Sequence, residues 1–502
     1  MKLRRSAFNL SSTYLTTCRM GQLIPAMCME CMPGDTIKMS AEALCRLTPL
    51  LAPLMHNVRL RFEFHKVPYR LIWKNWEDFI TGGEDGKAEP VKPKIKIPEG
   101  GFPVGSLGDY LALPVNVDGG TVDALPFRAV NLIWNERYRN QNVQEERAIS
   151  FDDGLDEITD TSLPYRNWER DYFTSCLPWA QRGDPMYLPL GTEAPVVTTD
   201  KATLLNLQYN GSGVRGLTTG GLGYGDALGV QTGSGQTLQP GVDSGYKVDL
   251  TKALATTPDE MRAIFQMNLW KQIMARGGAR YIEMVFNQFG VESSDARLQR
   301  PEFLGGGSSY VSISEVLQTS SSDAKTPQGN MAGRGLALNS VPSFKTFCEE
   351  HCFIVGFVSL VPKTVYAQGL ERMWTRETKW DYPFPVFDHL GEQKVRNGEI
   401  KFTGTAWDNE TFGFQGRNNE FRYPVSRVTG LMRTDYAFWH LARLFEADAR
   451  PALNSEFVTC TPSMRISAVE NEDNCVLEVL FHTKALRPLS KHARPGRIDH
   501  IR

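Results

Sequence analysis

The sequence predicts an all-β sandwich whose connections outweigh its core. Three observations carry this reading. Val58, Leu60, Phe62 and Phe64 alternate with Arg59, Arg61, Glu63 and His65, the period-two pattern of a strand with one face in a core. Phe353 to Val361 is an unbroken apolar run, suited to a strand buried on both faces. The strand-like segments lie far apart along the chain, separated by connections much longer than the about four to six residues usual in compact domains.

Residues 1 to 6 carry Lys2, Arg4 and Arg5 with no acid. This short basic arm reads either as a solvated terminus or as a contact for phosphate. Extended structure is expected from Phe8 to Val67, broken at Pro33-Gly34-Asp35, where Pro presets φ and Gly supplies positive φ. Leu44 to Met55, with Pro49 and Pro53, reads as a broken helix or a turn. The strand from Val58 ends at Pro68, and Ile72, Trp76, Phe79 and Ile80 then fall on one side of a short helix that Gly82 and Gly83 stop. Residues 84–120, rich in Gly, Pro and Lys, predict a long connection. Leu125-Pro126-Phe127 opens a second helix, with Phe127, Val130, Trp134 and Tyr138 near one face and Arg128, Asn131, Asn135 and Arg139 mostly off it. Asp152, Asp153, Asp156, Glu157 and Asp160 form an acidic loop that lacks the Gly and Glu positions of an EF-hand, so solvation is expected rather than a bound cation. Trp168 to Leu190 is dense in Trp, Tyr, Phe and Pro, as in a loop buried at an interface or under a neighbouring element.

Asn206 to Tyr246 differs in kind: 12 of its 41 residues are Gly and only Arg215, Asp226 and Asp243 are charged. With little to bury and no strong period, it reads as a surface excursion. Thr257-Pro258-Asp259-Glu260 restarts regular structure as a capping box, followed by an apolar face of Met261, Ile264, Phe265, Leu269 and Ile273 and a stop at Gly277. The excursion is therefore an insertion between ordered elements. Gly305-Gly306-Gly307-Ser308-Ser309 and the patch from Gln318 to Ser322 read as flexible connections. Later strands are expected over the alternating Ile400 to Ala406, and over Val425 to Arg433, Phe457 to Ile466 and Val476 to Phe481, with a short aromatic helix from Ala437 to Phe445. The tail from Lys484 to Arg502 holds Lys484, Arg487, Lys491, Arg494, Arg497 and Arg502 against the single acid Asp499.

Composition narrows the function classes. Lys plus Arg (55) nearly cancel Asp plus Glu (57), so the molecule is no polycation and any contact with nucleic acid must be local. The first 25 residues hold no apolar signal core, and no run approaches the roughly 20 apolar residues of a membrane helix. A protein made in a cytosol, without membrane insertion, is the expectation. Nine cysteines, an odd number scattered from Cys18 to Cys475, suit free thiols better than a disulfide framework.

Catalytic motifs are wanting. There is no HxH or HExxH pair, no nucleophile elbow and no phosphate loop. No cofactor is expected. Cys28-x-x-Cys31 and Cys348-x-x-x-Cys352 could offer four thiolates to zinc, but in extended sequence Cys28 and Cys31 point to opposite faces, so buried thiols acting as small hydrophobes are expected instead. Basic residues at both ends could bind phosphates in a salt-sensitive, sequence-indifferent way. Trp168, Tyr172, Phe173 and Trp179 could stack bases, although packing within the fold or between subunits is the expected use.

Several blocks together resemble one family. They are GQLIPAMCMECMPGDT from Gly21, VPYRLIWKNWEDFITGG from Val67, LPFRAVNLIWNERYRNQN from Leu125, WERDYFTSCLPWAQRGDP from Trp168, FGVESSDARLQRPEFLGGGSS from Phe289, QGLERMWTR from Gln368 and YPVSRVTGL from Tyr423. The chain resembles the major capsid proteins of microviruses, small tailless single-stranded DNA bacteriophages, and is most similar to the gokushovirus-like branch. The resemblance spans nearly the whole chain apart from Asn206 to Tyr246. It implies one eight-stranded antiparallel jelly-roll domain over residues 1–502 with long, partly helical loop insertions, and an icosahedral T=1 shell of identical copies around a circular single-stranded DNA genome. It also implies a virion protein assembled in the bacterial host cytoplasm, with minor virion proteins (pilot, DNA-binding or scaffolding) and a host cell-surface receptor as further partners. Residues 206–246 then become the candidate threefold protrusion for host attachment, with Tyr209, Arg215, Leu222, Tyr224 and Leu228 as its candidate contact residues. Lys2, Arg4, Arg5, Lys484, Arg487, Lys491, Arg494 and Arg497 become candidates for contact with the genome, the last five within a basic tail over residues 484–502. The competing reading is a monomeric β-sandwich that binds carbohydrate or cleaves glycosidic bonds, resting on the aromatic loops and unassigned carboxylates. The outward face of Arg59, Arg61 and His65 has two open placements: toward a genome, or beneath the helix and loops that follow.

Overall fold

Alternation of apolar and polar residues builds two antiparallel sheets that close on one core. In the computed structural model, residues 5–184, 186, 258–317, 331–469 and 472–491 are described, together with the backbone of five short strands within 196–248. The first five strands are β1 (Ser6–Asn9), β2 (Ser12–Cys18), β3 (Ile24–Cys31), β4 (Thr36–Leu47) and β5 (Val58–Pro68). After a long interval come β6 (Glu302–Tyr310), β7 (Ser312–Leu317), β8 (Met331–Phe347), β9 (Cys352–Pro362) and, last, β10 (Cys475–Arg487). One sheet runs β1-β10-β4-β8-β7 with β2 also on β10; the other runs β6-β5-β9-β3. Between them Ile37, Met39, Ala41, Cys45, Leu60, Phe62, Phe64, Val479 and Phe481 are buried in one cluster. The ring of Phe64 from one sheet lies 5.2 Å from Phe344 and 6.3 Å from Phe481 of the other, so aromatic contacts bridge the layers.

β9 explains the unbroken apolar run. Its Ile354, Val358 and Leu360 enter the sandwich core, while Phe353, Val355 and Phe357 face a second core on the opposite side. Helix α2 (Leu125–Ile133) supplies that second core with Phe127, Val130 and Ile133; helix α1 (Trp76–Thr81) lies earlier in the same connection. A strand packed on both faces needs apolar residues at every position.

Several expectations are corrected here. Leu44 to Leu47 belong to β4, and the turn starts only at Thr48. Near α1 the buried anchors are Ile72 and Trp73, whereas Phe79 and Ile80 are exposed; the helix does end at Gly82, in the left-handed region with φ 83°. The polar side of α2 is not solvated. Arg128 and Asn131 are fully buried, because Arg128 pairs with Asp156 at 2.8 Å and donates to the carbonyls of Ile72 and Asp152, while Asn131 donates to the Asp160 carbonyl. The acidic loop is thus solvated only in part: Asp152 and Glu157 are exposed as expected, whereas Asp156 is buried against α2 and Asp153 accepts from the Trp73 indole.

The triple glycine is no flexible connection. Gly305 to Gly307 lie within β6, and a Cβ on Gly306 would sit 2.5 Å from the Phe62 carbonyl oxygen, so only Gly permits this approach of β6 to β5. The strands expected over Ile400–Ala406, Val425–Arg433 and Phe457–Ile466 are absent among the described residues. The Asp408 carboxylate accepts from the backbone of Thr403, Gly404 and Thr405 (3.0, 2.7 and 3.2 Å), closing a turn that competes with a ladder. Gly430 at φ 64° starts a tight helical turn over Gly430–Arg433, and the Asn454 side chain caps a short helix at Ser455–Val458. The expected helix from Ala437 to Phe445 shrinks to one turn, Ala437–Trp439. The strands in this region are instead Glu392–Arg396 and Thr411–Gly416, whose Val395 and Phe412 share a satellite core with Tyr172, Phe173 and Phe457.

The chain divides into two compact units, residues 1–180 with 273–502, and residues 181–272. The second unit contains the Gly-rich segment. Expected to lack a strand period, that segment nevertheless holds short strands Leu205–Tyr209, Val214–Leu217 and Leu238–Pro240 in one sheet. Helix α3 (Pro258–Gly277) begins as expected at Pro258, while Thr257 lies outside the described residues. Its Met261, Phe265 and Leu269 are exposed, as are Tyr281, Phe286 and Phe289 of helix α4 (Tyr281–Phe289). Among the described residues no helix is long and apolar enough to cross a membrane.

Candidate functional site

The β1-β10-β4-β8-β7 sheet buries one face and leaves the other open. Along β4, Ile37, Met39, Ala41 and Ala43 point inward, so Lys38, Glu42 and Arg46 point out. Register brings the basic residues together. Lys38 is the direct cross-strand partner of Lys345 on β8 and of Lys484 on β10, giving a row of three lysines across adjacent strands. All three are exposed, and none pairs with a carboxylate among the described residues. Directly opposed residues stand about 5 Å apart, and like charges there repel, so a sheet left to itself gains nothing from this row. An anion laid across it removes the repulsion. Arg5 flanks the row, its guanidinium 5.3 Å above the Phe347 ring. Further along the face His482 approaches Glu42 at 3.6 Å, and Leu15 and Leu338 are 73% and 72% exposed.

Of the basic residues singled out in the sequence, Arg5, Lys484 and Lys491 are exposed. β10 runs to Arg487, so the first two cations of the expected tail belong to the sheet. Arg487 is occupied within the fold, 3.0 Å from the buried Asp35 carboxylate and donating to the Glu30 carbonyl at 2.9 Å. Lys2, Arg4, Arg494 and Arg497 lie outside the described residues, as do Leu222, Tyr224 and Leu228; Tyr209 and Arg215 fall on short paired strands whose side chains are likewise outside them. Lys38 and Lys345 were missed in the sequence. Their outward phase was readable from the alternation, but their meeting depends on register between segments some 300 residues apart.

The open question about β5 resolves toward coverage. Glu63 accepts from Arg166 at 2.9 Å and from the Tyr138 hydroxyl, Arg59 and Arg61 pair with Glu169, and His65 is buried among Tyr138, Phe303 and Phe357. Burial pushes His65 down to about 3, so it is neutral in the fold.

A second surface is aromatic. Between Arg372 and Leu390 the chain makes three tight turns that leave Trp374 70% and Val386 81% exposed, with Trp380, Tyr382 and Phe384 also open. Beside it lies a cleft of about 790 Å³ lined in part by Tyr172, Arg372, Glu399 and Glu420. Arg372 lies 3.6 Å from Glu399 and 3.8 Å from Glu420, and the Tyr172 hydroxyl donates to Glu399, so both carboxylates are held in a structural network. An apolar stretch of this size on a single chain suits burial against another protein surface.

Residues 1–497 match the family described as capsid protein (F protein). The chain belongs to that capsid family. It is 37% identical to capsid protein VP1 of Bdellovibrio phage phiMH2K, covering 98% of this chain and 95% of the relative. It is 35% identical to capsid protein VP1 of Chlamydia phage 1, over 98% and 96%, and 33% identical to capsid protein VP1 of Spiroplasma virus 4, over 98% and 95%. The recognition as a microvirus capsid protein therefore stands, and an F-family capsid protein is a structural component of the virion rather than a member of an enzyme family.

Proposed function

We propose that this capsid protein is the major shell subunit, that copies of it close into a T=1 icosahedral particle around a circular single-stranded DNA genome, and that the lysine-bearing face looks inward. The observation that carries the orientation is the Lys345-Lys38-Lys484 row, which no carboxylate neutralises among the described residues. Phosphates fit it without reading bases. Arg5, Lys491 and the remaining basic residues of the termini extend the same charge. The strand order supports an eight-stranded jelly roll: β2, β10, β4 and β8 in one sheet, β3, β9, β5 and β6 in the other, with the chain crossing between the sheets. The aromatic surface around Trp374 is the interface between copies, where modest contacts repeated by symmetry add up to a stable shell. Assembly takes place in the bacterial host cytoplasm, with minor virion proteins as further partners.

Replacing Lys38, Lys345 and Lys484 together with Ser should lower packaged DNA per particle while shells still form. DNA content equal to the parent would refute the inward orientation. Residues 206–246 are the host-attachment element in this reading, supported by their place in a compact unit of their own. Deleting residues 211–241 should leave assembly intact and abolish or redirect attachment; loss of all particles would instead assign the segment a structural role.

A further inference from the structure

Of the four cysteines weighed in the sequence as zinc ligands, the fold gathers three and excludes one. Cys31 ends β3, Cys352 opens β9 as its direct cross-strand partner, and Cys348 follows β8 in the opposite sheet. Their sulfurs all lie within 4.8 Å of one another, and all three side chains are buried. Cys28 is on the other face of β3, packed against the core that α2 builds. Among the described residues this is the only such group of three potential metal ligands.

We propose that Cys31, Cys348 and Cys352 form a structural site for Zn²⁺ that ties the two sheets together at one end of the sandwich. Tetrahedral thiolate ligation with Zn–S near 2.3 Å puts sulfurs about 3.8 Å apart, so the cluster needs shifts of no more than about 1 Å to close on the ion. The backbone around it is already fixed: Gly34 donates to the Cys348 carbonyl at 2.8 Å and Cys348 donates to the Asp35 carbonyl at 2.9 Å, locking the β3–β4 turn onto the β8–β9 turn. The charge balance also suits a metal. Three thiolates and Zn²⁺ leave one negative charge, and the cations Lys66 and Arg487 lie close to Cys348. Asp35 stands near the site with its Oδ1 buried and without a hydrogen-bond partner among the described residues, an oxygen that a water in the fourth position would reach.

Binding releases the thiol protons and forms three Zn–S bonds, with no change of oxidation state. It requires reduced cysteines, which the absence of disulfides among the described residues provides.

The test uses the full-length protein purified under reducing conditions with Zn²⁺ and exhaustively dialysed, its metal measured by mass spectrometry of the digested sample. About one zinc per chain is expected, falling to near zero in Cys31→Ser, Cys348→Ser and Cys352→Ser and unchanged in Cys28→Ser. Because a Ser variant could fold poorly, the parent protein is also loaded with Co²⁺, where an intense thiolate-to-cobalt charge-transfer band in the near ultraviolet is the expected signature. No retained zinc and no charge-transfer band in the parent protein would overturn the proposal. Zinc retained equally by a folded Cys348→Ser protein, or a disulfide within the trio, would overturn it too. None of these readouts depends on shell formation or DNA, so the result stands apart from the capsid reading.

Discussion

Lys38 faces Lys484 across two hydrogen-bonded strands, and Lys345 faces Lys38 from the other side. Three like charges directly opposed on one sheet face destabilise the isolated subunit by up to about 1 kcal/mol per pair. Replacing all three with Ser should therefore leave the melting temperature of the free subunit unchanged or higher. The same variant should bind single-stranded DNA more weakly, its log affinity against log salt flattened by about 2, since each phosphate contact on a single strand contributes about 0.7. A salt titration of DNA binding checks this; an unchanged slope removes the lysines from the interface.

The sandwich itself was legible because its strands carry strict alternation or continuous apolarity: β5, β9 and much of β10 could be read locally, whereas β4 was seen only as part of an extended stretch and its end was misplaced. Misreadings arose where a local pattern depended on distant partners. Ile400 to Ala406 alternates like a strand, but the Asp408 carboxylate captures the backbone that a neighbouring strand would need. Gly305 to Gly307 looks like a linker until Phe62 is seen pressed against it. Arg128 and Asn131 look solvated because the acids and carbonyls that satisfy them lie some 25 to 55 residues away. At the candidate site Lys484 was found from charge alone, whereas Lys38 and Lys345 needed register, and the cysteine trio needed the two turns to meet.

His65 makes stability depend on pH. Its folded value near 3 lies below the about 6.5 of an unfolded histidine. The unfolded chain therefore binds the proton first as pH falls. Its contribution is complete above pH 6.5 and declines by up to about 1.4 kcal/mol per unit down to about pH 3. Denaturant unfolding of parent and His65→Phe at pH 7 and pH 5 should show a smaller acid-induced loss in the variant; equal losses would mean that His65 is not neutral in the fold.

The Arg128–Asp156 pair is wholly buried at 2.8 Å, with Thr159 also donating to Asp156. Asp156→Ala strands the guanidinium inside the α2 core and should cost about 3–5 kcal/mol. Arg128→Met with Asp156→Leu removes both charges and should recover much of that loss. Chemical denaturation of both variants measures it, and Asp156→Ala within about 0.5 kcal/mol of the parent would contradict the buried geometry.

Trp374 and Val386 are exposed on the single chain without a core role. Changing both to Ser should leave monomer stability within about 0.5 kcal/mol. The same change should block assembly, because buried aromatic anchors dominate interface energy. Sedimentation analysis should then show folded subunits in place of particles; particles at the parental yield would place the interface elsewhere.

The most direct test of the account is a cryo-electron-microscopy reconstruction of genome-filled particles of this protein. It should show a closed icosahedral shell of this chain with Lys38, Lys345 and Lys484 on the inner surface, touching genome density. A compact monomer, or a shell with the lysine row on its outer surface, would contradict it.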